Sequence, residues 1–309
     1  MKKFLFAVIS VFIINSIASA KESGSQLKLS KVVKNVYAIV GPLGNRDKDN
    51  KANNATFGFV VTKQGVVLID PGGTYEGAAA IHKLIKTVTK QPVKIVINTG
   101  GQDHRWLGND YFKKQGAKII ANKNAVLDHK ARQQDQFFML GNLLGDKGIK
   151  KTTAAYADKT FDKTHQFSHG GVKFELVHTG AAHTPGDSFV WLPEYKVVFT
   201  GDIVYIERML GIIAVSNSKT WLQAFETMAA LKPDYVVPGH GSPTSLATAK
   251  KDTYGYLVFL RKLLREYIEA GGGIENVGKL DQSAYSYLKN FKTLKGRNAQ
   301  QVFQELEFE

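Results

Sequence analysis

The chain has 309 residues, 43% hydrophobic and 22% charged, with 41 Lys and Arg against 27 Asp and Glu for a formal charge of +14. Such a balance suits a globular protein that can bury a sizeable core. It contains no cysteine, which excludes a disulfide framework, a lipid-attachment cysteine and a thiol nucleophile. The basic surplus is compatible with weak association with anionic envelope surfaces and equally with a solvated surface that has no partner. No recognition motif accompanies the charge, so nucleic acid is not expected as a partner.

Met1, Lys2 and Lys3 precede an apolar run over residues 4–14, and Ala18-Ser19-Ala20 offers the small residues of a cleavage site. The run is too short to span a bilayer. Residues 1–20 therefore read as a secretory signal peptide, leaving no transmembrane anchor and a periplasmic or secreted product. Loss of Lys2 and Lys3 gives the mature side chains a charge of 14 − 2 = +12. With no Ser/Gly linker and no repeat, residues 21–309 are expected to form a single domain.

Runs rich in Val, Ile and Phe and bounded by turn residues predict strands at residues 36–39, 58–62, 66–69, 93–97, 118–121, 172–177, 188–192, 196–200 and 235–237. Apolar residues three and four apart predict helices at 76–90, 106–114, 124–144, 220–231 and 244–270. In the last of these, Leu257, Leu260, Leu264 and Tyr267 share a face. Strands in both halves with helices between them fit an α/β layered fold. Residues 41–55 are polar and read as a flap or a solvated loop, and the tail over 271–309 reads as a helical extension without a chemical signal.

Three short stretches carry the chemistry: Ala182-His183-Thr184-Pro185-Gly186-Asp187, Phe199-Thr200-Gly201-Asp202 and Pro238-Gly239-His240-Gly241. Each follows an apolar, strand-like run, and imidazole with carboxylate is a donor set for a borderline cation such as zinc. Upstream, Gly58 to Thr62 and Val66 to Ile69 lead into Asp70-Pro71-Gly72-Gly73. Asp70 there reads as a turn residue. Five other histidines, His82, His129, His165, His169 and His178, read as non-ligands.

Taken in order, these stretches resemble the metallo-β-lactamase superfamily, which includes glyoxalase II-like thioesterases and lactonases. The resemblance covers roughly residues 32–265 and implies a four-layer αββα sandwich with metal loops along one edge. It implies His183 in the first metal site, His240 in the second and Asp202 between them. The departure is Asn98-Thr99-Gly100-Gly101-Gln102-Asp103-His104-Arg105, where the family reads Asn-Thr-His-x-His-x-Asp-His. In the ungapped register Gly100 and Gln102 replace two histidines, His104 replaces the aspartate and Arg105 replaces the last histidine. A register shifted by one matches Asp103-His104 to Asp-His instead, but it needs compensating length changes on both sides. His104 is a candidate ligand in either.

The expected metal ligands are thus His104, His183, Asp202 and His240, holding one Zn2+ per chain in the second site, with His183 auxiliary. Arg105 would supply positive charge where a second metal is missing. Tyr205, three residues beyond Asp202 as in some lactonases, is a candidate oxyanion donor, and Asp103 is a candidate for orienting the nucleophile or moving its proton. Arg208 is a candidate for binding a substrate carboxylate. The resemblance implies a zinc hydrolase cleaving an ester, thioester, lactone or lactam of a small-molecule acyl substrate. The alternative is a non-catalytic metal-binding or accessory protein, including one in a periplasmic redox or cofactor pathway.

Overall fold

Strands with one face turned to a second sheet and the other to helices build the architecture of residues 27–309, the part described by the computed structural model. The expected signal segment, 1–20, lies outside the described residues. The first sheet follows chain order: β1 (Lys28–Val33), β2 (Val36–Val40), β3 (Thr56–Thr62), β4 (Gly65–Ile69), β5 (Val93–Asn98), β6 (Lys118–Asn122) and β7 (Lys159–Phe161). It is antiparallel from β1 to β4 and parallel from β4 to β7. The second sheet contains β8 (Thr164–His169), β9 (Val172–Val177), β10 (Phe189–Leu192), β11 (Val197–Phe199) and β12 (Tyr235–Val237), in the order β12-β11-β10-β9-β8. Only its β11–β12 pair is parallel.

Between the sheets, Val60, Val67, Ile69 and Ile97 pack with Phe174, Leu176, Val190 and Phe199. Period-two alternation sends the neighbours of these residues outward. Phe57, Phe59 and Leu68 meet α1 (Tyr75–Val88) and α2 (Asn109–Lys113), while Phe189, Trp191 and Val198 meet α4 (Ser218–Ala230) on the other side. This is the αββα sandwich that the motifs implied. Gly58 is required at the sheet-to-sheet contact, because a Cβ there would stand 2.1 Å from the Phe199 ring.

The remaining helices explain how the site is framed. Asn122 caps α3 (Lys123–Ile149) by accepting from the Asn124 backbone N–H, and Gly145, at φ 72°, breaks that helix near its end. A short α5 (Leu246–Ala249) runs through a π turn into α6 (Gly255–Glu269), which buries Leu257, Leu260 and Leu264. Beyond it, α7 (Phe291–Glu307) adds Val302 and Phe303 to the same core. The tail expected to be a plain extension is therefore part of the packing. Buried Asn298 on α7 accepts from the Ile212 N–H and donates to the Leu210 carbonyl, tying the tail to the loop that follows Asp202.

All nine predicted strands are present. Three others, β1, β7 and β8, escape a hydrophobic-run criterion because they are short or polar. In β8 (Thr-His-Gln-Phe-Ser-His) exposed and half-buried positions alternate, as expected for a strand at a sheet edge. The helix expected over 106–114 is shorter: residues 103–105 form a 3-10 turn and the α-helix begins at Asn109.

Candidate metal centre

The parallel pairing of β11 with β12, and the stacking of β5 opposite them, puts the chain just after these strands on one edge of the sandwich. Close backbone contact locks the loops together. Ser188 N–H donates to the Thr99 carbonyl across the sheets, and Gly201, at φ 49°, lies so close to Thr99 that a Cβ would be 2.2 Å from its Oγ1.

Into this junction project His104, Asp202 and His240, each buried, with ligand atoms within 4.8 Å of one another. His104 Nε2 is 3.3 Å from Asp202 Oδ2, and His240 Nε2 is 3.3 Å from Asp202 Oδ1. With bonds of 2.0–2.2 Å, donors on a tetrahedral zinc lie roughly 3.4 Å apart. The spacing therefore fits a metal. His104 Nε2, the ring nitrogen that faces Asp202, is buried without a hydrogen-bond partner, a rare state for a buried polar atom and one that coordination would relieve. His240 Nδ1 lies 2.9 Å from the Asn54 carbonyl. Donation there requires a proton on Nδ1 and leaves the Nε2 lone pair facing the centre. Burial, reinforced by Arg208, holds His240 well below the usual histidine pKa.

Beneath this group lies Arg105, with no exposed surface. It spends every guanidinium donor. Nε and Nη2 grip the two oxygens of Asp202 at 3.2 and 2.7 Å, Nη1 reaches Asp70 Oδ2 and the Thr56 carbonyl at 2.9 Å each, and Nη2 also reaches the Gly239 carbonyl at 2.8 Å. Burial alone would raise the Asp202 pKa, but Arg105, His104 and His240 outweigh it and hold the carboxylate well below its usual range. Asp70 also accepts from the Thr99 N–H and hydroxyl. It adopts a left-handed φ of 62°, which Asp tolerates better than most residues. Its part is larger than the turn expected from the sequence, for it is the second acid on Arg105.

Asp103 does not line the cleft above the centre. It is fully buried, lies 2.9 Å from Arg46 Nε and 3.1 Å from His104 Nδ1, and accepts from the His104 backbone N–H. Burial would raise its pKa, but Arg46 and His104 outweigh that and hold it well down. Its geometry is that of a brace on His104 and not of an acid or base facing substrate. Arg46 comes from the polar 41–55 segment, so that segment contacts the centre twice, through Arg46 and through Asn54. No motif marks either residue in the sequence.

His183 lies outside the three-residue group. Its Nδ1 is 2.7 Å from the Gly211 carbonyl and its ring stands 6.0 Å from that of Tyr205. Burial lowers its pKa to about 4. Where the family has its first two histidines, Gly100 faces Asp187: a Cβ at residue 100 would be 2.2 Å from Asp187 Oδ1. Asp187 accepts from the Thr184 backbone N–H and hydroxyl, and burial pushes its pKa up to about 8. Gln102 and His104 both line the cleft, whereas Gly101 backs onto Asp128 of α3. This alternation is the one the ungapped register requires. Of the other histidines, His129 is buried on α3, stacked on Trp106 and 2.9 Å from the Gly100 carbonyl, and plays no part in the metal group.

Tyr205 stacks on His240 with ring centroids 4.5 Å apart and planes 17° apart. Burial first, and then Asp202, raises its phenol pKa well above the usual value. The centre opens into a cleft of about 560 Å³ lined by Gln102, His104, His183, Tyr205, Arg208 and His240, among others.

The metallo-β-lactamase superfamily model matches residues 52–240. The chain belongs to that superfamily. It is 26% identical over 247 residues to the metallo-β-lactamase type 2 of Elizabethkingia meningoseptica, covering 78% of this chain and 89% of that protein. It is 25% identical over 239 residues to the metallo-β-lactamase IND-1 of Chryseobacterium indologenes, covering 74% and 90%. Among solved structures, a metallo-β-lactamase from Pontibacter korlensis superposes with a TM-score of 0.62 at 24% identity, covering 75% of this chain and 99% of that one. The sec-alkylsulfatase Pisa1 from Pseudomonas sp. gives 0.66 at 18% identity, covering 90% and 50%. These two superpositions speak for the fold alone.

Proposed function

We propose that this protein is an exported hydrolase that uses one divalent metal, zinc by its donor set, to cleave an ester, thioester, lactone or lactam. The observation that carries this reading is the buried His104–Asp202–His240 group, whose spacing matches a tetrahedral site and which opens onto a cleft. When bound in such a set, zinc lowers the pKa of its water towards neutrality and polarises a carbonyl.

The chain's own residues do the rest. Asn54 sets the tautomer of His240, Asp103 braces His104, and Arg105 holds both oxygens of Asp202 from below. The Tyr205 hydroxyl would donate to the oxyanion that develops on the carbonyl oxygen, a contact worth most when made in the transition state. The replacement of two family histidines by Gly100 and Gln102, with Asp187 packed against Gly100, favours a second reading: a metal-binding accessory protein without turnover.

A panel of ester, thioester, lactone and β-lactam substrates separates them. Any turnover should vanish on chelation and return with zinc, and undiminished turnover in chelated protein overturns the mechanism. For a substrate that is turned over, Tyr205→Phe should lower kcat roughly 100-fold with little change in KM. No turnover across the panel by a metal-loaded sample supports the accessory reading.

Export is part of the proposal, with a periplasmic or secreted destination. Among the described residues no helix is long and apolar enough to cross a membrane. Intact mass of protein from the periplasm should place the mature N-terminus at Lys21. Recovery of the full chain from the membrane fraction would reject cleavage.

A further inference from the structure

Four arginines line the cleft above the metal group: Arg46, Arg132, Arg208 and Arg297. Two are neutralised inside the protein. Arg46 pairs with Asp103, and Arg132 grips both oxygens of Asp128. The other two have no carboxylate partner among the described residues. Arg208 Nε is buried with no acceptor, and the nearest polar neighbour of its Nη1 is His240 Nδ1 at 3.1 Å, an atom already directed at the Asn54 carbonyl. Removing a guanidinium donor from water without an acceptor is costly, so this arrangement calls for an anion supplied from outside. Arg297 lies at the mouth, exposed, on α7. That helix lies beyond residues 52–240, the stretch that the family model matches.

Besides the arginines the wall has polar members, Asn45, Asn54, Gln102, Gln136 and the exposed Asp135, and one apolar stretch. Met139 and Leu143 reach the cleft from α3, and Ile213 and Val215 from the loop after Asp202. Leu143 is 40% exposed, which is a cost that an apolar ligand would remove. An apolar stretch with unpaired guanidinium groups beside it is complementary to one kind of small molecule.

We infer that the cleft takes an amphiphilic carboxylate, its head held by Arg208 and Arg297 and its apolar portion lying along Met139, Leu143, Ile213 and Val215. A carboxylate suits Arg208 because its planar pair of oxygens matches the guanidinium fork. The inference deepens the hydrolase reading by naming the substrate class, and the binding it asserts does not require metal.

The test is calorimetric titration of metal-free protein with decanoate, acetate and decanol. Decanoate should bind at one site per chain, acetate at least 100-fold more weakly, and decanol at least 10-fold more weakly. Each methylene removed from decanoate should weaken binding by about two- to fourfold. Arg208→Gln should weaken decanoate at least 10-fold and Arg297→Gln about threefold. Because Arg297 is exposed, its variant folds normally even if the Arg208 variant does not, and circular dichroism checks both. Decanoate that binds wild type and both folded variants equally overturns the inference, as does binding that appears only after metal is restored. Tight binding to metal-free protein without hydrolysis of any ester would support this inference while the hydrolase reading fails. Metal-dependent turnover of neutral esters by protein indifferent to decanoate gives the reverse.

Discussion

Wild-type protein dialysed extensively and analysed for its elements should retain one tightly held metal per chain, and His240→Ala should retain none. The variant keeps only His104 and Asp202 as compact donors, and two ligands do not hold zinc against dialysis in the way three do. The loss should exceed the roughly 10–100-fold cost typical of removing a residue that merely supports a ligand. Asp103→Ala should fall within that smaller range, because it leaves His104 in place but unbraced. His183→Ala should change affinity least of the three, since its imidazole lies outside the group and is directed to the Gly211 carbonyl. Two tight zincs in the wild type would show that the site around Gly100 and Gln102 still binds. Retention in His240→Ala together with loss in His183→Ala would place the metal in that other site.

Arg105→Met should destabilise the metal-free protein by about 3–5 kcal/mol, the cost of removing one partner from a buried ion pair. Here the cost falls on two carboxylates, Asp70 and Asp202, together with the Thr56 and Gly239 carbonyls. The pH dependence provides a second readout. In the wild type Asp202 has a depressed pKa, so its contribution is present above the unfolded carboxylate value and is lost as pH falls through the folded one. Without Arg105, burial dominates and raises the carboxylate pKa. Such a group favours folding most below the unfolded value and loses that benefit as pH rises. The gap between wild type and variant, measured by urea unfolding, should therefore narrow towards acid. Arg105→Lys should fall between the two, because it keeps the charge and loses the five-donor fork. A loss below about 1 kcal/mol at neutral pH would show that Asp70 and Asp202 are not held by this contact.

Several features are legible in the sequence alone. Motif order and the strand periodicity of the runs at 58–62, 66–69 and 93–97 identified the sandwich, because a half-buried or fully buried strand must repeat apolar residues in a recognisable way. Asp202 and His240 could be named because their motifs follow strand-like runs in the order of the family the chain resembles, and His104 because it falls on a ligand position in either register of the altered segment. Zero cysteine by itself removed thiol chemistry.

Tertiary structure decided the rest, and for a common reason: the residues involved act through partners far away in the chain. Arg105 and Asp70 are 35 positions apart, and Arg105 and Asp202 are 97 apart. No local pattern reveals that one guanidinium joins both acids. Asp103 looked like a group for proton movement until Arg46, 57 positions earlier, was seen to hold it against His104. The tail past residue 270 carried no motif, yet Asn298 braces the loop after Asp202 and Arg297 reaches the cleft. Sequence alone determined the layers, because local periodicity is written along the chain, and motif order named four candidate ligands, of which the fold brings His104, Asp202 and His240 together. Which charges are neutralised and which remain open to a ligand depends on long-range packing, and only the folded arrangement decided it: Arg46 and Arg105 meet acids, while Arg208 and Arg297 have no carboxylate partner among the described residues.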